Sequence, residues 1–323
     1  MSIFLGFDTS NYTTSVAAYD GSNIVNMRKL LEVKKGERGL RQSDALFAHV
    51  KTLPGLFGEL SKEIDMSLVS AVGVSSKPRN AEGSYMPVFL AGEGYAKVVA
   101  STLKVPIYKF SHQDGHIMAG IVSGNAQTLL EKEFLSVHLS GGTTEILKSR
   151  YNGYNFDNEI VGGTKDISAG QLIDRTGVML GLDFPCGKEL EILSYKAQNE
   201  LKMKVSADGG YLNFSGAETA LIKMISDNSP EDIAYAVLMH VAKTLAKVIN
   251  NSIIENSVGD VLIVGGVASN KLIKEYLNEN VKGRLYYAEP QYSTDNAVGV
   301  AALAEKGGGM INGAKNGYGQ SDK

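Results

Sequence analysis

Two histidines, His112 and His116, have the spacing that points most directly to chemistry. On a helix, residues four apart lie on one face with their Cβ atoms about 5–6 Å apart, so both imidazoles can bind one metal ion. Gln113 stands where a zinc peptidase of the H-E-x-x-H type needs its glutamate base, which argues against peptidase chemistry. The alternative is a pair of surface histidines near a helix start.

Two glycine-rich segments could bind a ligand through their backbone. The segment Ser140–Thr144, S-G-G-T-T, is either a hairpin turn or a phosphate cradle. Gly265 and Gly266 follow a buried strand; they would let a ligand lie on the backbone, while Asn270 hydrogen-bonds a sugar or a base. The alternative is a plain strand–helix connection with Ser269 as the helix N-cap.

An internal repeat relates the two halves of the chain. Residues 4–16 and 134–146 align without gaps, at a constant offset of 130, and five of the thirteen positions are identical. Each copy has the pattern of a strand, a turn of small residues and a second strand. Unrelated β-hairpins often contain the same residue types, so chance similarity is one interpretation. The other is a duplication into two ribonuclease-H-like lobes that face each other, in which the amides of both turns bind a nucleotide phosphate.

The elements that must position these residues alternate between strands and helices, which predicts an α/β fold. The predicted strands are Ile3–Asp8, Thr14–Ala18, Asn23–Val33, Ala71–Val74, Val105–Tyr108, Phe134–Leu139, Thr144–Lys148, Asn158–Val161 and Val261–Val264. The predicted helices are Ser43–Lys62, Glu93–Leu103, Ser168–Leu180, Gly187–Gln198, Ala217–Ser226, Pro230–Asn256, one from Ser269 and one from Ser293 to about Glu305. We expect a first lobe over 1–130, a second over 131–305 and a flexible tail over 306–323.

Composition narrows the class of protein. The 323 residues carry a net charge of −3, which excludes a strongly basic nucleic-acid-binding coat but not a local basic patch. The single cysteine, Cys186, excludes an internal disulfide and a cysteine-based metal cluster. No apolar run reaches the roughly 18 residues of a membrane span, and the first residues lack the pattern of a signal peptide. We therefore expect a cytoplasmic protein with no membrane partner.

Seven motifs in a fixed order carry a family resemblance: F-L-G-F-D-T-S, S-H-Q-D-G-H, L-S-G-G-T-T, A-G-Q-L-I-D-R, L-G-L-D-F-P-C-G, V-G-G-V-A-S-N and S-T-D-N-A. From Leu5 to about Ala302 the chain resembles the tRNA adenosine threonylcarbamoyltransferases, formerly labelled O-sialoglycoprotein endopeptidases or glycoproteases. The resemblance implies an actin-like ATPase fold, with two duplicated lobes around a nucleotide cleft. It also implies an enzyme that transfers threonylcarbamoyl from threonylcarbamoyl-AMP to N6 of the adenosine beside the tRNA anticodon.

The resemblance also assigns roles to individual residues. The implied cofactors are one divalent metal, Fe²⁺ or Zn²⁺, and an adenine nucleotide (threonylcarbamoyl-AMP, AMP or ATP). Its metal ligands would be His112, His116 and Asp295. Its nucleotide contacts would be His138, Leu139, Ser140, Gly141, Gly142, Asp174, Gly187, Gly265, Gly266 and Asn270. In the repeat His138 matches Asp8, and we predict it as a fourth metal ligand; the alternative is a side chain in a strand-packing layer.

The chain departs from the family on the acceptor side. Tyr12 and Thr13 replace an acidic pair that is a candidate for handling the amine proton, and Ser75–Gly83 replaces a Gly/Pro-rich segment. We take Asp8 and Thr13 as the catalytic candidates. These departures indicate a paralogue, and they leave two alternatives: a carbamoyltransferase with another acceptor, and a nucleotide-binding regulatory subunit without turnover.

The expected partners are tRNA and the other subunits of a threonylcarbamoylation complex, namely a paralogous actin-like subunit and a small ATPase. Six basic residues of the first lobe could meet tRNA phosphates, although charged loops are more often simply solvated. These residues are Lys34, Lys35, Arg38, Arg41, Lys77 and Arg79.

Overall fold

The computed structural model describes residues 2–10, 12–32, 40–294 and 296–313, which group into two compact units. Unit 1 comprises Met1–Ala119, Asn152–Phe156 and Asp295–Lys323, and unit 2 comprises Gly120–Tyr151 and Asp157–Thr294. The domain limits at residues 130 and 305 stay a prediction.

Strands and helices alternate along the chain, as the sequence predicts. The strands are β1 (Ile3–Asp8), β2 (Thr13–Tyr19), β3 (Ile24–Leu30), β4 (Val69–Lys77), β5 (Ile107–Ser111), β6 (Glu133–Leu139), β7 (Thr144–Tyr151), β8 (Phe156–Thr164), β9 (Ala207–Asp208), β10 (Tyr211–Leu212), β11 (Asp260–Val264) and β12 (Arg284–Tyr287). The helices are α1 (Gln42–Glu63), α2 (Phe89–Leu103), α3 (His112–Ser123), α4 (Ala169–Met179), α5 (Gly187–Ser194), α6 (Ser215–Met224), α7 (Pro230–Asn256), α8 (Lys271–Asn280) and α9 (Val298–Gly313).

The last helix departs furthest from its predicted bounds. The helix begins at Val298 rather than Ser293, because the Ser293 hydroxyl donates to the carbonyls of Ala288 and Glu289 and Asn296 Oδ1 accepts from the Val298 amide. It continues to Gly313, so residues 306–313 of the predicted tail are helical. The predicted tail beyond 313 lies outside the described residues.

The sheet of unit 1 has the strand order β3-β2-β1-β4-β5. The first three strands are antiparallel, and β4 and β5 run parallel to β1. One face carries an apolar cluster with α1 and α2, to which Leu5, Phe7 and Val72 belong. The opposite face packs against α9, and this approach requires glycine: a β-carbon at Gly6 would lie 2.1 Å from the Ala297 carbonyl oxygen.

The sheet of unit 2 contains the same five-strand arrangement, in the order β12-β11-β6-β7-β8, extended by β10 and β9. The register of the first hairpin is identical in the two units at an offset of 130. Asp8 pairs with Ser15 in unit 1, and His138 pairs with Glu145 in unit 2. Identical topology and register support duplication over coincidence as the origin of the sequence repeat.

The core of unit 2 surrounds α7, which begins and ends at the predicted residues, Pro230 and Asn256. Within this core His240 is 3% exposed, and burial, aided by the nearby Lys243 cation, lowers its pKa to about 4. The ring centroids of His240 and Phe214 lie 6.0 Å apart. The folded unit therefore holds His240 as a neutral imidazole near neutral pH.

We expect the stability of the protein to fall between about pH 6.5 and 4 because of His240. The unfolded imidazole takes up a proton near pH 6.5, whereas the folded one takes it up only near pH 4. Stability is therefore complete above pH 6.5 and decreases by up to about 3 kcal/mol as pH falls to 4. Urea unfolding across this range measures the effect. His240→Leu should flatten the profile, and an unchanged slope in that variant would contradict the assignment.

Candidate metal and nucleotide sites

In unit 1 the candidate metal residues gather where the parallel strands end. Asp8 is the last residue of β1, Ser75 lies near the end of β4, and His112 directly follows β5. The carboxyl ends of parallel strands are the usual ligand-binding edge of an α/β sheet. The strand order thus brings together residues that are more than a hundred positions apart in sequence.

Asp8 holds His112 in a defined orientation. The Asp8 carboxylate is 1% exposed and accepts hydrogen bonds from the Ser10 amide and hydroxyl and from the Ser75 hydroxyl. Its Oδ2 lies 2.9 Å from Nδ1 of His112. Burial alone would raise the pKa of Asp8, but the imidazole and these hydrogen bonds outweigh burial and lower it. A carboxylate can only accept, so Nδ1 of His112 carries a proton and Nε2 is the nitrogen that a metal ion could bind.

His112 and His116 face each other through their Nε2 atoms. These atoms are 2.9 Å apart, and the ring planes are inclined by 77°. Two nitrogens bound to one ion in tetrahedral geometry, each about 2.0–2.1 Å from it, would stand about 3.3–3.4 Å apart. A shift of about half an ångström from the hydrogen-bonded pair would therefore let both rings bind one ion. Asp295, the predicted third ligand, lies outside the described residues, and within the described ranges no cluster of three His, Cys, Asp or Glu side chains could hold a metal.

The backbone on the far side of Asp295 is anchored beside this site. The Ala297 amide donates to the Ser15 hydroxyl at 3.0 Å, and Ser15 is the strand partner of Asp8. Asn296 caps the start of α9. The chain after Asp295 is therefore held next to the strand that carries Asp8.

Asp114, between the two histidines, is a residue that sequence reasoning missed. Its side chain is fully buried and accepts from the amide and hydroxyl of Ser111, from Asn80 Nδ2 at 2.7 Å and from the Phe156 amide. Burial raises the pKa of Asp114 despite these bonds. In return, the Ser111 hydroxyl accepts from the Asp114 amide, which is a capping box. The S-x-x-D spacing at 111–114 could have revealed this anchor of the histidine-bearing helix.

Thr13, the second catalytic candidate, is the first residue of β2 and is buried. Residues 13 and 15 share a face of the strand, and Ser15 is opposite Asp8, so Thr13 lies on the same face of the sheet as Asp8. No hydrogen bond of its hydroxyl occurs within the described residues. Its catalytic role stays a prediction.

In unit 2 the segment Ser140–Thr144 is a hairpin turn braced by the start of α4. The Ser168 hydroxyl donates to the Gly141 carbonyl at 2.8 Å, and the Ala169 amide donates to the Thr144 hydroxyl at 2.8 Å. A β-carbon at Gly170 would lie 2.5 Å from Gly141 Cα, so the helix abuts the turn directly. The turn is therefore held rigid by its neighbours.

The candidate glycines of unit 2 divide into two groups. Gly265 has φ +104°, and a β-carbon there would lie 2.1 Å from the Leu139 carbonyl oxygen, so the fold itself requires glycine at this position. Gly141, Gly142 and Gly187 have no positive φ, and a β-carbon at any of them would meet nothing within 4 Å. The chain itself gives these three no reason to be glycine, so they are the positions where a ligand could lie on the backbone.

Asp174 and Gly187 are brought together through Cys186. Asp174 Oδ1 accepts from the Cys186 amide at 2.8 Å, and Cys186 directly precedes Gly187 at the start of α5. Burial raises the pKa of Asp174. Its second oxygen makes no hydrogen bond to any residue in the described part of the chain. This oxygen can accept from a ligand hydroxyl.

Glu191 of α5 contacts the start of α8. Its Oε1 accepts from the Lys271 amide at 3.3 Å and from the Tyr195 hydroxyl. Tyr195 and Leu272 line a cavity of about 370 Å³. Sequence reasoning missed Glu191; its position one turn after the candidate Gly187 was the available signal.

Asn270, and not Ser269, is the N-cap of α8. Its Oδ1 accepts from the Ile273 amide at 3.0 Å, which leaves the side-chain amide NH₂ without a hydrogen bond to the described residues. Together with the contacts above, this places the predicted nucleotide residues in one connected region of unit 2. The region runs from the Ser140–Thr144 turn through α4, α5 and α8 to Gly265, which packs on Leu139.

His138 lies on the face of β6 opposite the main core. Leu135, Val137 and Leu139 belong to the apolar core cluster of unit 2, so the alternate residues, including His138, face the other way. His138 is half-buried and directly opposite Glu145.

We expect His138→Phe to weaken metal affinity about tenfold or more, because the variant keeps the ring but loses the nitrogen. Metal titration in the presence of AMP measures this loss. Unchanged affinity would assign His138 to strand packing and leave three protein ligands.

The solved structures that resemble this chain have the actin-like ATPase fold. HypF from T. kodakarensis matches with a TM-score of 0.63 at 14% identity, over 97% of this chain and 48% of that chain. The activator of 2-hydroxyisocaproyl-CoA dehydratase from Clostridium difficile matches with a TM-score of 0.55 at 18% identity, over 98% and 99% of the two chains. At such identities the similarity establishes the fold alone. The predicted fold class is thereby confirmed.

The family of tRNA N6-adenosine threonylcarbamoyltransferases matches residues 23–302, and the chain belongs to this family. A relative of that name from Fusobacterium nucleatum is 29% identical over 323 residues, covering 94% of this chain and 90% of the relative. The probable bifunctional tRNA threonylcarbamoyladenosine biosynthesis protein of Methanothermobacter thermautotrophicus is 28% identical over 93% of this chain. The chain spans 55% of the length of that relative. In the described part of the chain, no helix has both the length and the apolar character needed to cross a membrane.

Proposed function

We propose that this protein transfers a threonylcarbamoyl group from threonylcarbamoyl-AMP to N6 of the adenosine beside the anticodon of tRNA. In this reaction the N6 nitrogen forms a bond to the carbamoyl carbon, the bond from that carbon to the phosphate oxygen breaks, and AMP and the N6 proton are released. The observation that carries the proposal is the His112–His116 pair, oriented by buried Asp8, in a chain that belongs to this enzyme family.

The proposed nucleotide site consists of residues of unit 2 that have either open backbone or a polar side-chain atom without a hydrogen bond to the described residues. The open backbone at Gly141 and Gly142 would approach the phosphate, and the second oxygen of Asp174 would accept from a ribose hydroxyl. Gly187 leaves room for the ribose, and the amide NH₂ of Asn270 would donate to the nucleoside. Glu191 extends this surface along α5 toward the cavity beside Tyr195.

The proposed metal ligands are His112, His116 and Asp295, with Fe²⁺ or Zn²⁺ as the ion. The donor set of two imidazoles and a carboxylate suits either ion. When bound, the ion supplies Lewis acidity that stabilises charge on the leaving phosphate. The carboxylate oxygens of Asp8 are hydrogen-bonded to Ser10, Ser75 and His112. We therefore propose that Asp8 orients His112 and does not transfer a proton. We propose that Thr13 lies on the side of the site where the acceptor binds.

The proposed partners are tRNA, a paralogous actin-like subunit and a small ATPase. The names of the archaeal relatives assign those proteins to tRNA threonylcarbamoyladenosine biosynthesis. For a tRNA-modifying activity we propose a cytoplasmic location.

The test is a transfer reaction with threonylcarbamoyl-AMP and unmodified tRNA, run with the chain alone and with the two partner subunits. Mass spectrometry of the digested tRNA detects threonylcarbamoyladenosine, and a nucleotide assay detects AMP. We expect both products from the wild type and neither from Asp174→Ala, with Gly216→Ala as the matched control at an exposed helix position of unit 2. AMP release without modified tRNA would indicate another acceptor. Binding of the adenylate without AMP release would indicate a regulatory subunit.

A further inference from the structure

The segment Pro78–Val88, which we name the 78–88 loop, is tied at both ends to the histidine site of unit 1. Near its start Asn80 Nδ2 donates to Asp114 Oδ2 at 2.7 Å, and the Gln113 amide donates to the Pro78 carbonyl at 3.1 Å. At its end the Thr9 hydroxyl donates to the Val88 carbonyl at 2.8 Å. Asp114 lies between the two histidines and Thr9 follows Asp8, so both attachments are to residues adjoining the candidate metal ligands or Asp8.

The 78–88 loop also has internal structure. The Ser84 amide donates to the Ala81 carbonyl, and Gly83 between them has φ +72°, so residues 81–84 form a tight turn. The Arg79 amide donates to the Ser84 hydroxyl across the base of this turn. Beyond the turn, Val88 is fully buried in a small apolar cluster with Phe89. The Phe89 ring lies 6.3 Å from the His112 ring.

Tyr85 is exposed in the middle of this otherwise anchored segment. The residue is 62% exposed, whereas Val88 is 0% exposed. The turn before Tyr85 and the apolar anchor after it fix its backbone, so binding a ligand with this ring costs little ordering of the loop. Lys77 directly precedes the loop and Arg79 lies near its start; with Glu82 in the turn, residues 77–88 carry one net positive charge.

From this arrangement we infer that the 78–88 loop contacts the acceptor, and that Tyr85 stacks on a base of its single-stranded anticodon loop. The inference rests on the proposed function. Sequence-specific RNA recognition favours unpaired bases stacked on aromatic side chains, with basic residues on the backbone phosphates. An exposed aromatic ring on a braced loop, with a lysine and an arginine at the start of the loop and attachments to the histidine site, has this chemistry. Tyr85 would thus be a specificity-determining contact for the acceptor.

Kinetics with an unmodified anticodon stem-loop RNA test this inference, with Tyr85→Ala, Tyr85→Phe and Ile254→Ala compared with the wild type. Ile254 is an exposed apolar residue of α7 and serves as the matched control. Loss of one stacked base should raise KM for the RNA about tenfold in Tyr85→Ala. Tyr85→Phe, which keeps the ring, and Ile254→Ala should remain close to the wild type. Bound metal, measured by elemental analysis, should be equal in all four proteins.

The outcomes separate this inference from the proposed function. Wild-type transfer to RNA together with an unchanged KM in Tyr85→Ala overturns the role of the loop and leaves the function standing. Loss of bound metal together with loss of transfer in Tyr85→Ala indicates damage to the histidine site and overturns the assignment of Tyr85 as an acceptor contact. AMP release by the wild type without any transfer to RNA overturns the proposed function, and the inference with it.

Discussion

Replacing both His112 and His116 by alanine is expected to reduce bound metal from about one ion per chain to almost none, and turnover by about 10³-fold or more. The imidazole Nε2 atoms are 2.9 Å apart, and Asp8 fixes the protonation of one ring, so the two side chains act as a single chelating unit. A catalytic metal contributes several kcal/mol to transition-state stabilisation, and each 1.4 kcal/mol or so is a factor of ten in rate.

Elemental analysis of the purified variants measures the stoichiometry, and Gln113→Ala is the matched control because it lies on the same helical turn. Asp8→Asn should give an intermediate result, with metal affinity about 10–100-fold weaker, since it removes the acceptor that orients His112 but no ligand. Asp295→Ala tests the proposed third ligand in the same assay. Unchanged metal content in the double variant would refute the assignment.

The arrangement of strands could be predicted from the sequence because the repeat encodes it locally. Strand β1 has exactly the predicted bounds, and the offset of 130 in the sequence reappears as the offset in hairpin register. Alternation and turn residues act over a few positions, so pattern reasoning finds them. The short strand β12 carries no such alternation, and it was missed for that reason.

The roles of individual site residues could not be predicted in the same way, because they depend on contacts between distant segments. Asp8 is predicted from the sequence as a catalytic group, and nothing in the sequence pattern indicates its bond to His112, which joins positions 104 residues apart. Gly142 and Gly265 look alike in sequence. Only the structure shows that the Leu139 carbonyl leaves no room for a β-carbon at Gly265, whereas a β-carbon at Gly142 would meet nothing within 4 Å.

Gly142→Val is expected to lower the affinity for AMP about 10–100-fold while leaving the stability of the protein within about 0.5 kcal/mol of the wild type. A β-carbon at Gly142 meets nothing within 4 Å, and the residue has no positive φ, so the folded chain accommodates a side chain there. A phosphate lying on this turn would meet the valine directly and lose its hydrogen bonds to the backbone. Bonds to charged groups contribute about 1.5–3 kcal/mol each, which sets the expected loss.

Calorimetry with AMP and urea unfolding, performed on the same variants, separate ligand contact from fold. Gly170→Ala should show the opposite behaviour, destabilising the protein because its β-carbon would lie 2.5 Å from Gly141 Cα. Gly216→Val is the neutral control, since a β-carbon at that helical position also meets nothing within 4 Å. If Gly142→Val binds AMP as tightly as Gly216→Val does, the phosphate does not lie on the Ser140–Thr144 turn. The open glycines would then belong to a hairpin turn that binds no phosphate, which is the alternative interpretation of this segment of the sequence.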